Sequence, residues 1–175
     1  NNYIDHKMAS FKEFWKWRKE STKPEPISFP LVKNDPRFLQ QNRTQKTLTW
    51  IGHASFLLQL DGINILTDPH LTKRASPVIF AGPSRTTPPG LLIKDLPEID
   101  VIVISHNHYD HLDYQTIKKI MKKQQVNPPL VLVPLKLKKL LQSFGASKVK
   151  ELEWWETTSI KNLKIHSVPV QHWSN

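Results

Sequence analysis

The chain has 175 residues, with 25 Lys plus Arg against 15 Asp plus Glu for a formal net charge of +10, and it contains no cysteine. That length suits one domain of roughly 100–200 residues and hardly two, and 38% apolar residues are enough for a core, which argues against disorder of the whole chain. Without cysteine, a disulfide scaffold, a thiolate zinc finger and a cysteine nucleophile are all excluded.

Residues 1–46 read as an N-terminal arm. Phe11, Phe14, Trp15 and Arg18 recur at helical spacing and predict a short amphipathic helix from about Ser10 to Lys19. Pro24, Pro26, Pro30 and Pro36 then favour an extended strap. Trp15, Trp17 and Arg18 suit either packing on a protein surface or peripheral contact with a membrane interface. From residue 47 to 175 the texture is that of a folded domain. Thr47–Ile51 and Ala54–Leu60 predict strands, Asp61-Gly62 a hairpin turn, and Ile63–Thr67 the returning strand. Residues 69–90 form a loop too long for a plain linker, which favours a functional role. Val101–Ser105 is a short β-branched run of the kind buried on both faces. Thr116–Lys123 predicts a helix with Asp113 as a capping candidate, Leu130–Val133 a buried strand, and Leu135–Phe144 a helix ended by Gly145. Val149–Leu152 and Leu163–Val170 complete the strands, and their alternation with helices predicts a mixed α/β sheet.

Charge is unevenly placed: residues 1–46 carry net +5, residues 47–111 net −2, and residues 112–175 net +7. A mildly acidic middle inside a basic molecule suits a cation at the centre and anionic partners at the periphery. The lysines are not interleaved with a stacking aromatic platform of the usual kind, so nucleic acid is not an expected partner. No apolar run approaches the roughly 20 residues that span a bilayer. The compartment stays open between cytoplasm and periplasm, with or without membrane association. The start at Asn1, with neither Met nor an apolar leader, leads us to expect a processed or trimmed product.

The chemistry concentrates in Ser105-His106-Asn107-His108-Tyr109-Asp110-His111-Leu112-Asp113, directly after a buried strand. Imidazole nitrogen and carboxylate oxygen are ligands that suit zinc, iron or manganese. In an extended turn His106 and His108 share one side, and Asp110 and His111 emerge from the next turn, an arrangement that suits two neighbouring metals better than one.

His106-x-His108-x-Asp110-His111 after a Val/Ile strand resembles the metal motif of the metallo-β-lactamase superfamily. Trp50-Ile51-Gly52-His53-Ala54-Ser55, Thr67-Asp68-Pro69, Arg74-Ala75-Ser76-Pro77, Gly82-Pro83-Ser84-Arg85 and Gln171-His172-Trp173 narrow the resemblance. Together they are similar to the branch containing N-acyl-phosphatidylethanolamine-hydrolysing phospholipase D, over about residues 47–175. The resemblance implies that His106, His108 and His172 bind one divalent metal and that Asp110 and His111 bind a second, most naturally zinc. It also implies that Asp68 orients a ligand, with a turn-forming Asp before Pro69 as the alternative, and that His53 lines the pocket, with a surface or structurally bonded His as the alternative. His6, His70 and His166 match no ligand position. The implied fold is a four-layer αββα sandwich, of which this chain supplies the first half after its helical and Pro-rich arm. A second segment or chain is therefore expected to complete the fold, with a bridging acid and a further His for the second metal. The implied activity is hydrolysis of a phosphodiester, lipid-like or otherwise anionic, by a metal-bound hydroxide, with Asp110 able to take the proton. A lactone or other cyclic ester is the alternative substrate, and a metal-binding or assembly fragment without turnover is the alternative of another class.

Overall fold

The structure is a computed structural model and describes residues 10–22, 30–170 and 172. Helix α1 (Phe11–Glu20) starts where Ser10 and Glu13 form a capping box, the Ser10 side chain accepting from the Glu13 amide while the Glu13 carboxylate accepts from the Ser10 amide. None of its residues is buried. Part of the expected strap, residues 23–29, lies outside the described residues. Beyond it Pro36 opens a helix, α2 (Pro36–Gln41), which the sequence reading did not anticipate. Asp35 accepts from the amides of Arg37 and Phe38, and a proline in the first turn gives up only an amide that has no helical partner.

Strands β1 (Thr47–Gly52), β2 (Ser55–Leu60) and β3 (Ile63–Thr67) form an antiparallel meander. Asp61 and Gly62, with φ of 49° and 73°, close the β2–β3 hairpin in the left-handed conformation that such a turn requires. Strand β4 (Val101–Val103) pairs parallel to β3, β5 (Leu130–Pro134) to β4, and β6 (Lys148–Leu152) to β5. The sheet therefore runs β1-β2-β3-β4-β5-β6, its parallel part joined by the long loop between β3 and β4 and by crossovers through α3 (Tyr114–Lys123) and α4 (Lys138–Ser143). Strands β7 (Thr157–Ile160) and β8 (Leu163–His166) form a separate antiparallel pair. The sequence reading missed β7, whose Thr157-Thr158-Ser159 run lacks an apolar alternation, and carried β8 four residues too far.

Two apolar layers fix this arrangement. On one face Leu57, Leu66, Ile102 and Val131 pack against Ile117, Ile120 and Leu141 of the helices, with Leu39 of α2 joining them. On the other face Ile63, Ile65, Val101 and Leu132 pack against Ile160, Leu163 and Ile165 of the β7–β8 pair. Helices, six-stranded sheet and hairpin thus form three successive layers. A buried polar network ties α2 to the sheet. Gln59 is 2% exposed, and its amide donates to Leu39 O and Asn64 Oδ1 while accepting from Asn42 Nδ2 and Thr47 Oγ1.

Candidate metal centre

All the candidate residues but His172 come from three turns at one edge of the sheet. The β1–β2 turn carries His53, in a left-handed conformation (φ 51°) and held by Trp50 Nε1 donating to its carbonyl at 2.9 Å. Asp68 follows β3, where its amide donates to Val103 O at 2.8 Å. The segment after β4 carries His106, His108, Asp110 and His111. The amides of His111 and Leu112 fold back on His108 O at 2.9 and 2.7 Å, so the run curls into a compact turn. Asp113 ends that turn and caps α3, as the sequence suggested, accepting from the amides of Gln115 and Thr116.

Six side chains gather into two groups of metal-type donors. His106, His108 and His172 form one, and His53, Asp110 and His111 the other. In each, one donor atom per residue lies within 4.8 Å of the other two. The groups adjoin, with the rings of His106 and His111 4.1 Å apart. His53 Nε2 stands 2.9 Å from Asp110 Oδ2, and His111 Nε2 stands 3.7 Å from the same oxygen. Sequence reasoning gave Asp110 and His111 no third partner among these residues and placed His53 only in the pocket wall. The structure sets His53 directly beside them. His172 lies beyond β8, whose last residue is His166, so it reaches the first group from an irregular segment.

Asp68 is 7% exposed and accepts three hydrogen bonds: Ser105 N at 2.7 Å, Ser105 Oγ at 2.7 Å and His111 Nδ1 at 2.9 Å. A carboxylate only accepts, so His111 donates from Nδ1 and turns the lone pair of Nε2 towards Asp110. Ser105 Oγ gives its proton to Asp68 and therefore accepts at 2.9 Å from His106 Nδ1. That leaves the His106 Nε2 lone pair outward, and this atom is buried without a hydrogen-bond partner. One carboxylate thus sets the tautomer of a histidine in each group. Burial, then the neighbouring His111, His108 and His172, pushes the His106 pKa down to about 4, and burial with His172 lowers that of His108. Burial raises the Asp110 carboxyl, but its own backbone amide, His111 and His53 outweigh that and hold it below the usual carboxylate value. With His106 and His108 held neutral, the His106 Nε2 lone pair buried and without a partner, and Asp110 held ionised, the gathered nitrogen and oxygen donors fit a divalent cation.

A cavity of about 1220 Å³ opens beside these groups, its wall including Trp17, Trp50, His53, His70, Arg85 and Asp110. His70, unassigned from sequence, is buried there. His166 sits apart on β8, its Nδ1 2.9 Å from Thr157 Oγ1, and His6 lies outside the described residues.

The chain belongs to the metallo-β-lactamase superfamily: the family described as the β-lactamase superfamily domain matches residues 63–175. Among its relatives, N-acyl-phosphatidylethanolamine-hydrolyzing phospholipase D 1 of Caenorhabditis elegans is 41% identical over 134 residues, covering 71% of this chain and 37% of that protein. An uncharacterized Mycobacterium tuberculosis protein is 35% identical over 147 residues, covering 83% of this chain and 39% of that one. The chain therefore spans less than two-fifths of either relative. Among solved structures, the diiron β-hydroxylase CmlA of Streptomyces venezuelae matches with a TM-score of 0.55 and 27% identity, over 71% of this chain and 24% of that one. A possible metal-dependent hydrolase of Veillonella parvula, at 22% identity and a TM-score of 0.56 over 69% of this chain and 47% of that one, shares the fold.

Proposed function

We propose that these residues form the metal centre of a metal-dependent hydrolase that cleaves a phosphodiester, with His106, His108 and His172 holding one divalent cation and His53, Asp110 and His111 taking part in a second site. The observation that carries this reading is the pair of adjoining donor groups at the wall of one cavity. The named activity of the Caenorhabditis elegans relative supports the substrate class. Nitrogen and oxygen donors suit zinc, iron or manganese alike. When bound, a pair of such cations lowers the pKa of water and absorbs the charge that develops on the substrate oxygens.

The protein's own residues then have distinct tasks. Asp68 keeps His111 and, through Ser105, His106 with their lone pairs outward. Hydrolysis joins the water oxygen to phosphorus and breaks the ester P–O bond, and the water's proton leaves with the alcohol. Asp110 stands where it can hold that proton in passage, beside His53 Nε2. The arm supports a lipid-presented substrate. Phe11 and Trp17 of α1 are exposed, interleaved with Lys12, Lys16, Arg18 and Lys19, and Trp17 reaches the cavity wall. Such a helix suits docking to an anionic bilayer surface.

Hydrolysis of bis(p-nitrophenyl) phosphate by the full-length protein, before and after chelator treatment, tests the activity. Turnover that is lost with the metal and returns on its addition supports the reading, and turnover indifferent to chelation refutes it.

A further inference from the structure

The loop of residues 69–90 is folded back on itself. Ala75 N donates to Pro83 O at 3.0 Å and Arg85 N to Lys73 O at 2.8 Å. This places the half-buried Arg85 side chain against the β1–β2 turn. Its Nη2 donates to His70 O at 2.5 Å. Its Nε is buried without a partner, and Nη1 makes no hydrogen bond among the described residues. The guanidinium lies so close to Gly52 that a Cβ there would meet Nη1 at 3.1 Å. Gly52 immediately precedes His53, one of the three residues of the second donor group.

Among the described residues no carboxylate pairs with this cation. Asp113, whose field acts on it, is committed elsewhere. Asp113 Oδ1 accepts from the amides of Gln115 and Thr116, and Oδ2 accepts from Thr116 Oγ1 and Thr72 N. A half-buried charge without a counter-ion is costly, and a guanidinium is well suited to the oxygens of a phosphoryl or carboxylate group. His53, Asp110 and Arg85 all line the same cavity, so one ligand in it can touch both the donor group and Arg85.

We infer that Arg85 is a specificity-determining residue that recognises the negative charge of the substrate, its guanidinium facing an anionic oxygen of a group that lies in the cavity shared with the second donor site. This deepens the proposed hydrolase reading and rests on it. A neutral ester would leave the cation without a partner, whereas a phosphodiester would supply one. Gly52 supports the arrangement, because its φ of 135° disfavours any other residue and a Cβ there would crowd the guanidinium at 3.1 Å.

The test compares the metal-loaded full-length protein with its Arg85→Gln and Arg85→Lys variants. The substrates are bis(p-nitrophenyl) phosphate, an anion, and p-nitrophenyl butyrate, a neutral ester. Arg85→Gln should lower the anionic-to-neutral ratio of kcat/KM by about 10- to 100-fold, the worth of one hydrogen bond to a charged group. Most of that loss should appear in KM, and Arg85→Lys should recover part of it. Calorimetric titration with inorganic phosphate gives a readout independent of turnover and should weaken by a similar factor in Arg85→Gln. A parallel fall on both substrates, or phosphate binding unchanged at matched metal content, overturns the inference. If the metal-loaded wild type hydrolyses neither substrate, the hydrolase reading fails. The phosphate titration then decides Arg85 alone, a weaker affinity in Arg85→Gln supporting it and an equal one overturning it. Should Arg85→Gln fail to fold, Arg85→Lys carries the test: an intermediate ratio supports the inference and the wild-type ratio overturns it.

Discussion

Asp68→Asn removes one charge and almost no volume, yet it should disturb both donor groups. The carboxylate accepts three hydrogen bonds in a position only 7% exposed, where water cannot replace a lost partner. An asparagine keeps one oxygen for the Ser105 amide but turns an NH₂ towards Ser105 Oγ and His111 Nδ1. Either a donor faces a donor, or His111 moves its proton to Nε2 and loses the lone pair directed at Asp110. Losing one bond to a charged group and leaving another donor badly matched costs about 2–4 kcal/mol of folding stability in the metal-free protein. The tautomer change should weaken metal binding by about 10- to 100-fold, as loss of an orienting partner does elsewhere. His111 is bonded directly and His106 only through Ser105, so the second group should lose more than the first. Chelator competition on the full-length protein measures the two affinities, and ¹⁵N imidazole shifts report the tautomer of His111. Two sites of wild-type affinity with an unchanged tautomer would refute the reasoning.

Replacing His106 and His108 together with Ala should remove at least one bound metal per chain, and elemental analysis showing unchanged stoichiometry would sink the ligand assignment. Gln59→Leu should destabilise the fold by about 2–4 kcal/mol, because its four partners lose their hydrogen bonds in a buried place. The urea midpoint checks this, and a shift worth less than about 0.5 kcal/mol would show that the network relaxes. Burial, then Arg85, lowers the pKa of His70 below its ordinary 6.5. The folded state therefore binds that proton less readily than the unfolded chain, and the contribution of His70 is complete above about pH 6.5 and lost as pH falls towards the folded value. His70→Gln should flatten the decline of the unfolding midpoint between about pH 7 and about pH 5, and parallel curves would remove His70 from the account.

Elements whose cause is local were legible in the sequence. Ile63–Thr67 follows the Asp61-Gly62 turn with the bounds read from its residues, and Val101–Val103 is the buried parallel strand that its β-branched run announces. Helix α2 was not, because Pro36 reads as a breaker unless Asp35 is recognised as the cap that makes a first-turn proline favourable. The His106–His111 run also declares itself, since its donors are neighbours in sequence. The association of His53 with Asp110 has no local signal. The two are 57 positions apart, and only the pairing of β1 to β2, β2 to β3 and β3 to β4 brings them to one place. Arg85 was hidden for the same reason: its partners, His70 and Gly52, become neighbours only when the loop folds back.

That topology also explains why the chemistry gathers where it does. Strands β3, β4 and β5 are parallel, so the segments that follow them emerge at the same edge. Because β1, β2 and β3 alternate in direction, the β1–β2 turn reaches that edge too, whereas the β2–β3 hairpin lies at the opposite one. His53, Asp68 and the His106–His111 turn are therefore delivered to one side by strand direction alone, as binding residues are in open α/β sheets generally. The sheet beneath them is buried on both faces, which gives Asp68 a rigid seat. The irregular loop of residues 69–90 contributes Arg85, the residue we infer reads the charge of what enters. A rigid edge that fixes ligand tautomers, with a folded loop that selects the substrate, lets substrate preference change without disturbing the donor groups. Substitutions at Arg85 should accordingly alter which ester is cleaved, and substitutions at Asp68 whether any is.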